Sequence, residues 1–160
     1  MKMGTCQRGV TLVETLLAAG IATMIVGVLG SAIFLFWRAT EQGNEQCRAL
    51  HDVQNAGFWI TRDGQRAQST SLNEGEDPVE SMTLSWTDGG QSHTVTYSLS
   101  GTSLQRNYDG TVTTVARHIS SVGFSISAQR VITADITSSP EGRWEISEQT
   151  THKVYLRPTG

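Results

Sequence analysis

Glu14 is the first residue in this chain whose type and position call for chemistry. It stands one turn inside VTLVETLLAAGIATMIVGVLGSAIFLFW, residues 10–37, and no ionisable side chain follows it until Arg38. A carboxylate carried into hydrocarbon costs up to roughly 2.5–3.5 kcal/mol unless it finds a partner or reaches water. A cationic partner inside an apolar assembly would answer that cost, and so would snorkelling to the interface. The other reactive residue types are scattered. His51, His93, His118 and His152 stand singly, with no HxH or HExxH spacing. The two cysteines, Cys6 and Cys47, have no ligand cluster beside them, and a cysteine at position 47 reads as a small apolar helix residue. The acidic run Glu74, Glu76, Asp77 and Glu80 has the donor type for calcium without the glycine-punctuated ligand spacing, so a solvated acidic loop is the better reading. No GxSxG or other nucleophile motif accompanies the many serines. The sequence therefore signals no enzyme, cofactor or metal site.

The element that carries Glu14 is a membrane helix. Residues 10–37 exceed the ~20 residues needed to cross a bilayer and would form a helix of roughly 40 Å. The apolar run is too long for the core of a secretory signal, so a cut is expected before it. Lys2 and Arg8 precede the span, which places the N-terminus in the cytoplasm and the C-terminal part outside, although Arg38 on the far side weakens that bias.

Gly9-Val10-Thr11-Leu12-Val13-Glu14, after a short basic leader and before a long apolar helix, resembles the prepilin cleavage and methylation motif of type IV pilins and type II secretion pseudopilins. The resemblance implies that a prepilin peptidase cuts after Gly9 and methylates Val10, and that Glu14 sets assembly register by pairing with the Val10 amine of a neighbouring subunit. Methylation would leave that amine cationic. The chain has Val10 where Phe or Met is more usual in the family, and its membrane helix lacks proline. Loss of the leader removes Lys2, Arg8 and Cys6, taking the formal net charge from −3 to −5 and leaving Cys47 as the single thiol. An acidic chain without a basic run argues against nucleic acid.

Past Trp37 the sequence turns polar, yet Leu50, Val53, Gly57, Ile60, Gly64 and Ala67 recur three and four apart. This predicts an amphipathic continuation of the helix over residues 38–72, fraying around Gly43, ending near Ser69 to Glu74 where SLNEGEDP supplies breakers, and using Phe58 and Trp59 to widen its packing stripe. From Ser81 the period changes to two: Met82, Leu84 and Trp86; Val95, Tyr97 and Leu99; SLQRNY and TVTTVA around Asp109-Gly110; Val122, Phe124 and Ile126; Ile132, Ala134 and Ile136; Trp144 and Ile146; Val154 and Leu156. Seven or eight short antiparallel strands over residues 73–160 give an α+β chain, a long N-terminal helix packed on a meandering sheet region.

That order of elements, with DVQNAGFWITRDGQRAQ, then YSLSGTSLQRNYDG, then VARHISSVGFSI, is similar to minor pilins and minor pseudopilins of the J and W types. What the resemblance implies is a pilin-like fold with four parts: leader 1–9, membrane or filament-core helix 10–37, its amphipathic continuation 38–72 and the β-domain 73–160. It implies a subunit of a type IV pilus or type II secretion pseudopilus that helps start assembly or sits at the tip. The partners would be the prepilin peptidase, other subunits met through the N-terminal helix, the inner-membrane assembly platform, and the lipid bilayer before assembly. The site would be the bacterial inner membrane and then a periplasmic or extracellular filament. Two alternatives stay open: a β-domain displayed on the filament to bind cargo, a surface or DNA, and a membrane-tethered domain that does not polymerise.

Overall fold

The computed structural model describes residues 11–158, and the chain divides after Glu41 into an N-terminal unit and a unit that begins at Gln42. One helix, α1 (Leu12–Gly64), supplies all of the described structure before the strands, and it runs without interruption through Gly43, where fraying was expected. Eight antiparallel strands follow, so the α+β layout of a long N-terminal helix and antiparallel sheets is what the chain adopts.

The strands form two sheets rather than one continuous meander. β1 (Ser69–Thr70), β2 (Ser81–Asp88), β3 (Gln91–Ser100), β4 (Ser103–Tyr108) and β5 (Thr111–Ala116) pair in that order, while β6 (Ile119–Ile126), β7 (Val131–Ser138) and β8 (Glu148–Tyr155) make a second sheet. Turn chemistry sets the hairpins of the first. Gly89-Gly90 joins Asp88 to its partner Gln91, and Asp109-Gly110 joins Tyr108 to Thr111; all four turn residues have positive φ, the pattern of the tight hairpin turn that matches strand twist. Between the sheets the chain turns a corner at Arg117-His118, with His118 at φ 53°.

In the unit that begins at Gln42, Val53, Ala56 and Ile60 of α1 share one core with Leu84, Tyr97 and Leu104 of the first sheet and with Ile119, Phe124 and Ile136 of the second. Period-two burial along β2 and β7 matches the expected alternation of Met82, Leu84 and Trp86 and of Ile132, Ala134 and Ile136.

Several expectations are corrected. α1 ends at Gly64, well short of residue 72, because the Gln68 amide donates to the Ser85 carbonyl and draws the chain onto β2 as the short strand β1, which the alternation did not show. Trp144 and Ile146 fall in the irregular stretch between β7 and β8, so the strand expected there does not exist. On the helix, Leu50 is exposed and Ala49 is buried in its stead. Trp59 packs on the core as expected, but Phe58 is 60% exposed and meets Trp59 only edge to face, at 5.7 Å between ring centroids.

Candidate functional site

Gly9 and Val10, the expected cleavage and methylation positions, lie outside the described residues. Glu14 lies in the first turn of α1, where the threonine three residues before it caps the helix. The Glu14 amide donates to the Thr11 carbonyl at 3.0 Å and to Thr11 Oγ1 at 3.4 Å. Thr11-Leu12-Val13-Glu14 thus has the threonine and glutamate spacing of a capping box, a signal readable in the sequence that the membrane reading of Glu14 passed over. A carboxylate in a first turn gains about 0.3–1 kcal/mol from the helix dipole. That is less than the several kcal/mol an unpaired carboxylate loses in hydrocarbon, so capping alone does not account for Glu14 in an apolar setting.

The helix surface on either side of Glu14 is apolar apart from a few hydroxyls. Fifteen large hydrophobic side chains from Leu12 to Trp37 are each more than half exposed. At about 1.5 kcal/mol or more per side chain, leaving them in water would forfeit more than 20 kcal/mol. A domain's whole net stability is about 5–15 kcal/mol, so this surface requires an apolar environment. Its window of mean hydropathy 2.2 is long and apolar enough to cross a membrane.

The polar atoms within it suit that environment. Thr15 Oγ1 donates to the Leu12 carbonyl, Thr23 Oγ1 to Gly20 and Ser31 Oγ to Val28, each at 2.8 Å, and Thr40 Oγ1 donates to Phe36 at 2.9 Å. Each hydroxyl is satisfied by its own helix and asks nothing of its surroundings.

The second half of α1 uses its polar residues to hold the sheets. Asp63, 1% exposed, takes Arg106 in a two-pronged bond, Nε to Oδ2 at 2.6 Å and Nη2 to Oδ1 at 3.0 Å, while Tyr97 OH donates to Oδ2 at 2.5 Å. The guanidinium also lies over the rings of Trp59 and Tyr108, 4.9 Å from each centroid. Burial and the neighbouring carboxylate push the Tyr97 pKa up, and the Asp63 hydrogen bonds raise that of Arg106. Sequence reading did not mark Asp63, because an aspartate near a helix end is ordinarily solvated.

The histidines separate into different roles. His93 Nδ1 bonds Asp109 Oδ2 at 2.7 Å, and the ring stacks on Tyr108 and lies tilted against Trp86 at the rim of the core. That hydrogen bond and one from the Thr94 amide hold the Asp109 carboxyl below its ordinary pKa. His118 bonds Asp52, His152 packs its ring against Gly57, and His51 is exposed. Cys47 is exposed on the helix. Glu74, Glu76, Asp77 and Glu80 are all exposed, and both Glu76 oxygens accept from Asn73 Nδ2. Among the described residues no three His, Cys, Asp or Glu side chains converge on a metal position.

Compared with protein-family models, with curated proteins and with solved structures, the chain has no match in any of the three.

Proposed function

We propose that this chain is a minor pilin or pseudopilin-type subunit: cut after Gly9 by a prepilin peptidase, methylated at Val10, held in the inner membrane by the first half of α1, and drawn from there into a pilus or secretion pseudopilus. The observation that carries the reading is the exposed apolar stretch of α1 from Leu12 to Trp37, whose single charge, Glu14, stands in the first turn of the helix. In a low-dielectric filament core that carboxylate and a neighbour's Val10 amine would each need the other, which gives assembly a register.

Gly9→Ala is expected to leave an unprocessed precursor in a host with a prepilin peptidase, read as the higher-mass band on an immunoblot; normal maturation of that variant would overturn the proposal. The Thr11 cap favours one second reading, a tether that does not polymerise and in which Glu14 serves only its own helix. Glu14→Gln separates the two. Glutamine keeps the capping geometry but cannot pair with an amine as a charge. A filament subunit with glutamine at position 14 should mature normally and be largely missing from sheared filaments, whereas wild-type incorporation would favour the tether.

A further inference from the structure

In the unit that begins at Gln42, a groove of about 700 Å³ lies between α1 and the corner that joins the two sheets, lined by Cys47, Arg48, His51, Asp52, Arg117 and His118. Its one acid is already engaged. Asp52 Oδ1 accepts the Arg117 amide at 3.1 Å and Oδ2 accepts His118 Nδ1 at 2.9 Å, which ties the corner to the helix. The guanidiniums of Arg48 and Arg117 have no acidic partner within ion-pair distance among the described residues. Two free cations and two imidazoles thus gather on a chain whose formal net charge is −3.

The opposite charge lies at the other end of β6. Arg117 and His118 directly precede Ile119, the first residue of that strand, whereas the acidic loop crosses the strand's far end, with Glu74 bridged to Ile126 and Val79 to Phe124. At about 3.3 Å per residue, the groove and the loop are separated by roughly 20 Å. They cannot meet within one molecule. Among the described residues none of Glu74, Glu76, Asp77 and Glu80 has a cationic partner either.

We propose that the Arg48–Arg117 groove receives the acidic Asn73–Glu80 loop of a second copy. A surface that binds a different surface of the same chain makes a head-to-tail contact, which continues as a fibre when its rotation does not close into a ring. The inference rests on the filament reading and adds to it a contact outside the membrane helix. Exposed ion pairs contribute about 0–1 kcal/mol each, so the contact orients subunits whose anchors already confine them to one membrane.

Cys47 lines the groove and serves as the probe. In full-length chains carrying Cys6→Ser, a second cysteine is introduced by Glu76→Cys, membranes are mildly oxidised, and the cross-links are mapped by mass spectrometry. The expected product joins Cys47 of one copy to position 76 of another, and 0.5 M salt reduces its yield. Arg48→Glu with Arg117→Glu should lower that yield about tenfold through like-charge repulsion. Mixing those groove-reversed copies with copies carrying Cys47→Ser, Glu76→Cys, Glu74→Lys and Glu80→Lys should restore it. Arg48 and Arg117 are exposed, and an unchanged melting temperature would show that their reversal spares the fold. Symmetric products alone, or a mixed product indifferent to charge reversal and salt, would overturn the docking. The filament reading fails separately, at Gly9→Ala and Glu14→Gln, neither of which touches groove or loop.

Discussion

The two halves of α1 share a backbone conformation and differ in almost everything their side chains do. From Leu12 to Trp37 the hydroxyls fold back on their own carbonyls, and a Cβ added at Gly20, Gly27 or Gly30 would meet nothing within 4 Å. From Ala49 to Gly64 the polar residues reach away from the helix: Asn55 Nδ2 donates to the Val115 carbonyl, Asp52 ties down the corner before β6, and Asp63 holds Arg106 and Tyr97. The glycines there are occupied space. At Gly57 a Cβ would enter the His152 ring, and at Gly64 it would come within 2.7 Å of Val154 Cγ1, so these two positions are what let β8 lie against the helix. A glycine in an open helix costs stability relative to alanine, whereas one beneath a strand permits a close approach that alanine forbids.

The sharpest way to break this contrast is at Asp63. Asp63→Ala strands a largely buried guanidinium and a buried phenol, and should destabilise the folded domain by about 3–5 kcal/mol in denaturant unfolding. Replacing Thr23, whose hydroxyl serves only its own helix, should leave domain stability unchanged. The glycine contrast comes next. Gly57→Ala must displace His152 and is expected to cost about 1–3 kcal/mol, while Gly27→Ala meets no neighbour and should favour the helix by up to about 1 kcal/mol. Equal melting temperatures for the two alanine variants would remove the distinction drawn between the halves.

The smallest effect is expected at Tyr97, where Tyr97→Phe gives up one hydrogen bond worth about 1 kcal/mol at neutral pH. Its pH dependence sharpens the point. Because the folded-state pKa of Tyr97 is raised, its contribution is complete below the unfolded value near 10 and is lost as pH climbs above it. The wild-type chain should therefore lose its advantage over Tyr97→Phe in alkaline denaturation. A stability difference that stays constant through pH 11 would show that burial and the Asp63 carboxylate do not hold the phenol neutral.

Much of this contrast is legible in the sequence itself. Apolar length with one charge marks the first half of α1, because spanning a bilayer needs only local composition. Period-two alternation located seven of the eight strands, and Gly89-Gly90 and Asp109-Gly110 marked their turns, because side-chain facing and turn conformation are properties of adjacent residues. Glu14 was legible as a residue in need of a partner, and its Thr11 cap could have been read from the same four letters. What only the tertiary structure decided are the matters of partnership. Asp63 went unnoticed because its partners come from β3 and β4, more than thirty residues away. α1 stops at Gly64 because β2 offers backbone partners to the residues that follow, and Phe58 stays exposed because the sheets cover the adjacent face. The groove at Arg48 and Arg117 and the acidic loop likewise acquire opposite ends of β6 only once the strands are paired. A residue's neighbours along the chain set its conformation, but what compensates a buried charge or fills the space above a glycine is set by residues that only folding brings near.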